Sequence, residues 1–306
     1  MTQLSSVYIH QKSESFRSRF LQGVMGLINA KSGLRKNLLK GDIKNDPVPM
    51  PKSFSNKYNV NIQDFKGRKL WTFAPKNNAS EQVVFYVPGG AYLFSIVALH
   101  WSFLEKVVDA TNATVVIANY PVAPQATAND SHEYMTKLYK KVLSEFKGKE
   151  VIIMGDSAGG GLSIAFTQTL SSNGLPQPKQ IIALSPFLDI TMSNPNISKM
   201  EKQDKVLEPD SLREAGKLYA GNISDKDPRV SPIYGSFNDL GKLSIFMGTN
   251  DVFIADARKL TKKLEQEQIP FKYFEYPRMM HTWMLSPVAL REGNVAIKQI
   301  IDLIKN

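Results

Sequence analysis

The sequence predicts an α/β fold, a mostly parallel sheet with helices on both faces. Two observations predict it. From about residue 81 onward, short apolar runs alternate with helix-length segments, the pattern of strands buried on both faces and joined by crossover helices. Within that alternation, the run Val151-Ile152-Ile153-Met154 leads straight into a glycine-framed serine followed by a helix-like stretch, a strand–turn–helix unit.

The elements follow in chain order. Residues 58–64 and 69–74 read as an antiparallel lead-in. The later strands are expected at 83–87, 114–118, 151–154, 181–184, 243–247 and 271–276, where β-branched and aromatic residues concentrate. Between them, residues 99–111, 130–146, 158–171, 255–268 and 287–304 place apolar residues three and four apart, and Asp130 and Ser131 are plausible helix caps. Two segments break the alternation. Residues 186–240 contain five prolines and no internal period, and are too long for a plain loop, so they are expected to form an insertion with short helices, one near 209–220. In residues 1–50, Phe16, Phe20, Val24 and Ile28 recur every four residues, which predicts an amphipathic helix whose apolar stripe packs against that insertion rather than on a membrane.

Composition sets the outer limits. A chain of 306 residues with 42% hydrophobic content fits a globular protein. Without cysteine it has neither disulfides nor thiolate metal sites, and its scattered histidines suggest no metal centre. The formal charge of +10 is concentrated at the start: eight Lys/Arg against two acidic residues lie in residues 1–45. With no aromatic interleaving and no nucleic-acid module, that segment reads as a solvated face, and no nucleic-acid partner is expected. No leader-like segment and no run of membrane-spanning length occurs, so a soluble, cytoplasmic protein is expected.

Gly155-Asp156-Ser157-Ala158-Gly159 is a G-x-S-x-G turn, which lifts the Ser157 oxygen clear of the sheet on a strained backbone. Pro88-Gly89-Gly90-Ala91 closes the strand at 83–87. Alone it is a turn signal. One βα unit before a nucleophilic serine, it becomes a source of unobstructed backbone N–H groups for an oxyanion, with Ala158 as a further donor. A serine nucleophile needs a base, and imidazole suits neutral pH. Of four histidines, His10, His100 and His132 read as surface or capping residues, whereas His281 lies after the strand at 271–276, at the carboxyl end of the sheet. Asp251, directly after the strand at 243–247, is the favoured orienting carboxylate, with Asp256 and Asp189 in reserve. Tyr92, Phe94, Met280 and Trp283 flank these motifs and are candidates to line an apolar cleft, although aromatic residues beside a sheet more often form core.

Together the Gly-Gly loop, the Gly-Asp-Ser-Ala-Gly-Gly elbow, the late aspartate and the later histidine resemble the hormone-sensitive-lipase-like branch of the α/β hydrolases. Tyr120-Pro121-Val122-Ala123-Pro124 is similar to that family's Tyr-Arg-Leu-Ala-Pro, and the stretch from Asp251 to Asp256 to its Asp-x-Leu-x-x-Asp. The likeness spans about residues 55–305. It implies one α/β-hydrolase domain over 1–306, with an eight-stranded sheet and a cap built from residues 1–50 and 186–240. It also implies a carboxylesterase that uses Ser157, His281 and Asp251 on small or medium acyl esters without a cofactor. By alignment Gly90 and Ala91 would donate to the oxyanion, with Gly89 also open. The family's His-Gly-Gly-Gly reads Pro88-Gly89-Gly90-Ala91 here, so a loop-holding histidine is missing and a proline fixes φ instead. An amidase, a peptidase or an acyltransferase would use the same triad, and a ligand-binding protein could share the fold.

Overall fold

The computed structural model describes residues 5–306 apart from 42 and 44. Residues 1–4, 42 and 44 of the expected cap segment therefore lie outside the described residues. In chain order the elements are β1 (Ser5–Ile9), α1 (Phe16–Leu27), α2 (Gly33–Lys40), α3 (Ser53–Lys57), β2 (Tyr58–Phe65), β3 (Arg68–Pro75), β4 (Gln82–Val87), α4 (Ala98–Thr111) and β5 (Thr114–Ile117). There follow α5 (Ala128–Glu145), β6 (Glu150–Asp156), α6 (Ser157–Thr169), β7 (Gln180–Leu184), α7 (Ile197–Glu201), α8 (Pro209–Ala220), β8 (Lys242–Gly248), α9 (Ile254–Gln266), β9 (Phe271–Tyr276) and α10 (Arg291–Lys305).

All the described strands join one sheet in the order β1-β9-β8-β7-β6-β4-β5-β3-β2. The pairs from β1 across to β5 are parallel, while β3 runs antiparallel to both β5 and β2. Alternate side chains enter opposite layers, as the pleat requires. Val83, Phe85 and Val87 join the core beneath α5, α6 and α9, and Val84 and Tyr86 join the core beneath α4 and α10. This double burial is why the strands read as unbroken apolar runs.

The structure corrects four expectations. The sheet has nine strands among the described residues, one more than the resemblance implies. The addition is β1, which lies along β9 with Ser5 opposite Phe271. Helix α5 is capped one turn earlier than expected, at Thr127, whose N–H and hydroxyl both reach the Asp130 carboxylate, at 2.8 and 2.9 Å. Helix α10 begins at Arg291 rather than 287, because Ser286 and Pro287 form a turn in which the Val288 N–H meets the Ser286 hydroxyl.

The largest correction concerns α1. Among the described residues nothing covers its apolar stripe: Phe16, Phe20 and Ile28 are 73%, 64% and 68% exposed. The opposite face, carrying Ser18 and Gln22, is buried. Gln22 donates to the Arg278 carbonyl at 2.9 Å and accepts from the Asn250 amide at 2.9 Å. Ser15, the N-cap, gives its N–H and hydroxyl to Glu292 at 2.7 and 2.8 Å. Hydrogen bonds to Glu292 and to the loops after β8 and β9, together with Leu21 and Met25 packed on the core, thus dock this helix, not the expected stripe. Helix α2 turns the other way, packing against α8 of the insertion. Among the described residues no helix is long and apolar enough to cross a membrane.

Candidate active site

Strand β6 ends at Asp156 and α6 begins at Ser157, so the chain reverses at one residue. Ser157 holds φ at +52°, a left-handed conformation that side-chain-bearing residues seldom adopt. A Cβ on Gly155 or Gly159 would run into the Gly159 or Val87 carbonyl, respectively, so only glycine lets strand and helix approach so closely. The carbonyl of Ser157 accepts from Phe187 at 2.9 Å, which ties the turn to the strand end beside it.

His281 lies in the loop after β9, and Asp251 in the loop after β8. His281 Nδ1 meets Asp251 Oδ2 at 2.7 Å, and both side chains are buried. A carboxylate only accepts, so Nδ1 carries the proton and Nε2 is left with a free lone pair. Asp251 Oδ1 is held by the Phe253 N–H at 2.9 Å. Burial disfavours the charged imidazole, but the charge and hydrogen bond of Asp251, reinforced by Asp204 and Asp156, outweigh it and raise the His281 pKa above 6.5. The two reserve aspartates lie elsewhere. Asp189 is engaged by Thr191 and Tyr234, and Asp256 by the Asn194 amide.

Sequence reasoning missed Asp204. It sits in the insertion, buried, and accepts from Val206, Leu207 and Val252 at 2.7, 2.9 and 2.9 Å. Burial and then the charge of Asp251 push its carboxyl up to about 6. It pins the insertion to the very loop that carries Asp251. No motif marks such a residue, because the partner that ties it to the site is a backbone group 48 positions away, and its two local bonds, to Val206 and Leu207, are those of an ordinary turn.

The oxyanion-loop candidates divide. Gly89 is withdrawn as a donor, since its N–H is committed to Asp156 Oδ1 at 3.0 Å. Gly90 and Ala91 donate to no protein group among the described residues, and the Ala158 N–H belongs to the first turn of α6, which no intrahelical carbonyl can serve. Ala91 takes φ +53°, a left-handed value open to a residue with a Cβ. The loop is braced from both sides: Tyr120 donates to the Pro88 carbonyl at 3.1 Å, and Asp156 Oδ1 also accepts from Tyr86 at 2.6 Å. His100 completes the brace. Its Nδ1 accepts from Val97 N–H at 2.9 Å, which leaves Nε2 protonated and facing Asp156 at 3.3 Å. His10 and His132 are likewise buried rather than at the surface, stacked on Tyr276 and bonded to the Arg229 carbonyl respectively.

Ser157, His281, Gly89, Gly90 and Ala91 line one cavity of about 310 Å³. Its walls are apolar, with Phe94, Val97, Leu99 and Leu285 from the core domain, Leu34 from α2, and Leu207 and Leu212 from the insertion. Ser157 Oγ makes no hydrogen bond among the described residues. Of the four cleft candidates only Phe94 lines this space. Tyr92 is packed flat between Tyr219 and Phe187, while Met280 and Trp283 fill the core beneath His281. Proximity to a motif could not tell lining from packing. A larger hollow of about 1030 Å³ runs along the outer face of α9, remote from these residues and without a paired nucleophile and base.

A family model for the alpha/beta hydrolase fold matches residues 84–285. An esterase of Acinetobacter venetianus is 25% identical over 226 residues, covering 73% of this chain and 75% of its own. An acetyl-hydrolase of Streptomyces hygroscopicus is 27% identical over 218 residues, covering 71% and 73%. Among solved structures, a hormone-sensitive lipase from a metagenome library superposes with a TM-score of 0.80 at 24% identity, over 94% of this chain and 97% of that one. With the match reaching from β4 to the loop beyond His281, the chain belongs to the α/β-hydrolase fold family.

Proposed function

We propose that this enzyme is a serine carboxylesterase acting on esters of small to medium acyl chains. The observation that carries the reading is the convergence of a strained Ser157 and a hydrogen-bonded His281–Asp251 pair on one apolar cavity. In the reaction Ser157 Oγ attacks the acyl carbon and His281 Nε2 takes its proton. The carbonyl oxygen becomes an oxyanion met by the N–H groups of Gly90, Ala91 and Ala158. His281 then returns the proton to the departing alcohol. Water, activated by the same imidazole, releases the acid from the acyl-enzyme, while Asp251 holds the imidazole's tautomer and stabilises its cation throughout.

The chain is read as a single domain whose cap comprises α2 and the insertion. Support comes from Leu34, Leu207 and Leu212, which close the cavity from that side. A volume of about 310 Å³ with apolar walls suits a short acyl group better than a long lipid chain.

The test is covalent labelling by a fluorophosphonate together with hydrolysis of esters of graded acyl length. Wild-type protein is expected to be labelled stoichiometrically and to hydrolyse short esters fastest. Ser157→Ala should stay folded and lose both labelling and turnover. Undiminished labelling of Ser157→Ala would overturn the assignment.

A further inference from the structure

We propose that the outward face of α1 and α2 is a docking surface for an anionic lipid bilayer. The inference goes beyond the catalytic reading and does not depend on it.

Helix α1 carries apolar residues on two faces: Leu21 and Met25 pack inward against the core, and a second group points to solvent. At about 100° per residue, Phe16, Phe20, Val24 and Leu27 fall within an arc of about 80°, bordered by Arg19 on one side and Arg17 on the other. Phe16, Phe20 and Leu27 are 73%, 64% and 89% exposed, and the first two rings stack on each other in solvent. On α2 the pattern recurs: Leu39 is 78% exposed, with Arg35, Lys36 and Lys40 exposed around it. Exposed large apolar side chains grouped in this way mark an interaction site rather than ordinary surface.

Charge selects the occupant. Between Ser5 and Gly41 there are seven Lys/Arg and a single acidic residue, Glu14, which is turned inward onto Ser18 and Gln22. Lys31 and Arg35 have carboxylate partners in Glu201 and Glu208. Lys12, Arg17, Arg19, Lys36 and Lys40 have none among the described residues. A second copy would bring the same uncompensated cations face to face, and a helix of 12 residues, about 18 Å long, supplies too little area for a stable dimer. Aromatic residues flanked by arginines on a rigidly docked helix instead match the boundary of an anionic bilayer, where rings enter the acyl region and cations meet headgroups. The polar network from Ser15, Gln22 and Glu292 holds the stripe outward. The inner side of α2 lines the cavity through Leu34 and Asn37, so docking would set the cavity mouth beside the lipid.

The experiment is flotation of the full chain with vesicles of phosphatidylglycerol and phosphatidylcholine, against vesicles of phosphatidylcholine alone. Wild type is expected to float with the anionic vesicles at about 0.1 M salt and to be released at about 1 M, where the screening length falls to about 3 Å. Arg17→Glu/Arg19→Glu should weaken partitioning by more than about tenfold, since each basic residue contributes roughly fivefold. Phe16→Ser/Phe20→Ser should weaken it comparably, while fluorophosphonate labelling and turnover of a water-soluble ester stay at wild-type levels in both variants. Failure of wild type to float, or undiminished flotation of Phe16→Ser/Phe20→Ser, would overturn the proposal. So would self-association of wild type, seen by sedimentation and lost in Phe16→Ser/Phe20→Ser, without flotation. Because labelling is read separately, loss of the esterase reading and loss of this one are distinguishable.

Discussion

Around His281 stand two buried carboxylates with different duties. Asp251 touches the imidazole, and Asp204 touches the backbone next to Asp251. Replacing Asp251 by Asn should lower kcat about 10³- to 10⁴-fold with little change in KM, because the imidazole is then held in the wrong tautomer. Asp189→Asn and Asp256→Asn should cost far less, and one soluble ester assayed across the three variants ranks them. The pH dependence follows from the raised pKa of His281. As a base it must be neutral, so kcat/KM should climb with pH through a midpoint above 6.5 and fall away below it. The charge of Asp204 contributes to that rise in pKa. Asp204→Asn should therefore move the midpoint downward, and an unmoved midpoint would remove Asp204 from the electrostatics of the site. Gly89 offers a steric test. A Cβ there would overlap the Asp156 carboxylate and crowd Ser157, displacing the loop that carries Gly90 and Ala91. Gly89→Ala should cost on the order of 10²- to 10³-fold in kcat, the scale of a lost oxyanion donor.

Helix α1 owes its position to its N-cap. Glu292 lies buried, and although burial opposes its ionisation, the hydrogen bonds from its own backbone and from Ser15, with Arg291 nearby, outweigh burial and lower its pKa. A carboxyl with a lowered folded pKa stabilises the fold above its unfolded pKa, and that contribution is lost as pH falls through the folded value. Glu292→Gln should accordingly destabilise the protein by about 1 to 3 kcal/mol near neutrality, a gap that closes in acid and that urea titration at several pH values would measure. The same helix marks where reading the sequence stops. Apolar periodicity reveals two faces but not which one meets the protein, and here Ser18 and Gln22 satisfy buried loop groups while the phenylalanines stay outside. The central strands were legible because covering helices demand unbroken apolar runs. Strand β1 was not, since an edge strand opening on Ser5-Ser6 alternates weakly and announces no partner. Similarly, Ser157, His281 and Asp251 follow strands and could be proposed from position, and His100 caps α4 as one of its expected readings had it, whereas the contacts of Asp204 with Val252 and of His100 with Asp156 are long-range and leave no local pattern.

At the scale of the molecule, the cavity is assembled from α2, the loop after β4, the elbow, the insertion and the loop after β9. No single segment defines its size. Leu212→Ala should open the insertion side and shift preference toward longer acyl chains, without loss of labelling at Ser157, as a series of esters of increasing length would report. Assembly from both chain ends has a further consequence, which lies in β1. This strand's partner is β9, with Ser5 opposite Phe271, so a strand made early must pair with one made much later. At 5 to 20 residues per second, β1 waits roughly 15 to 50 s for β9. Throughout that interval Phe16, Phe20, Leu27 and Ile28 follow an unpaired strand, so this sheet edge closes only once β9 has been made.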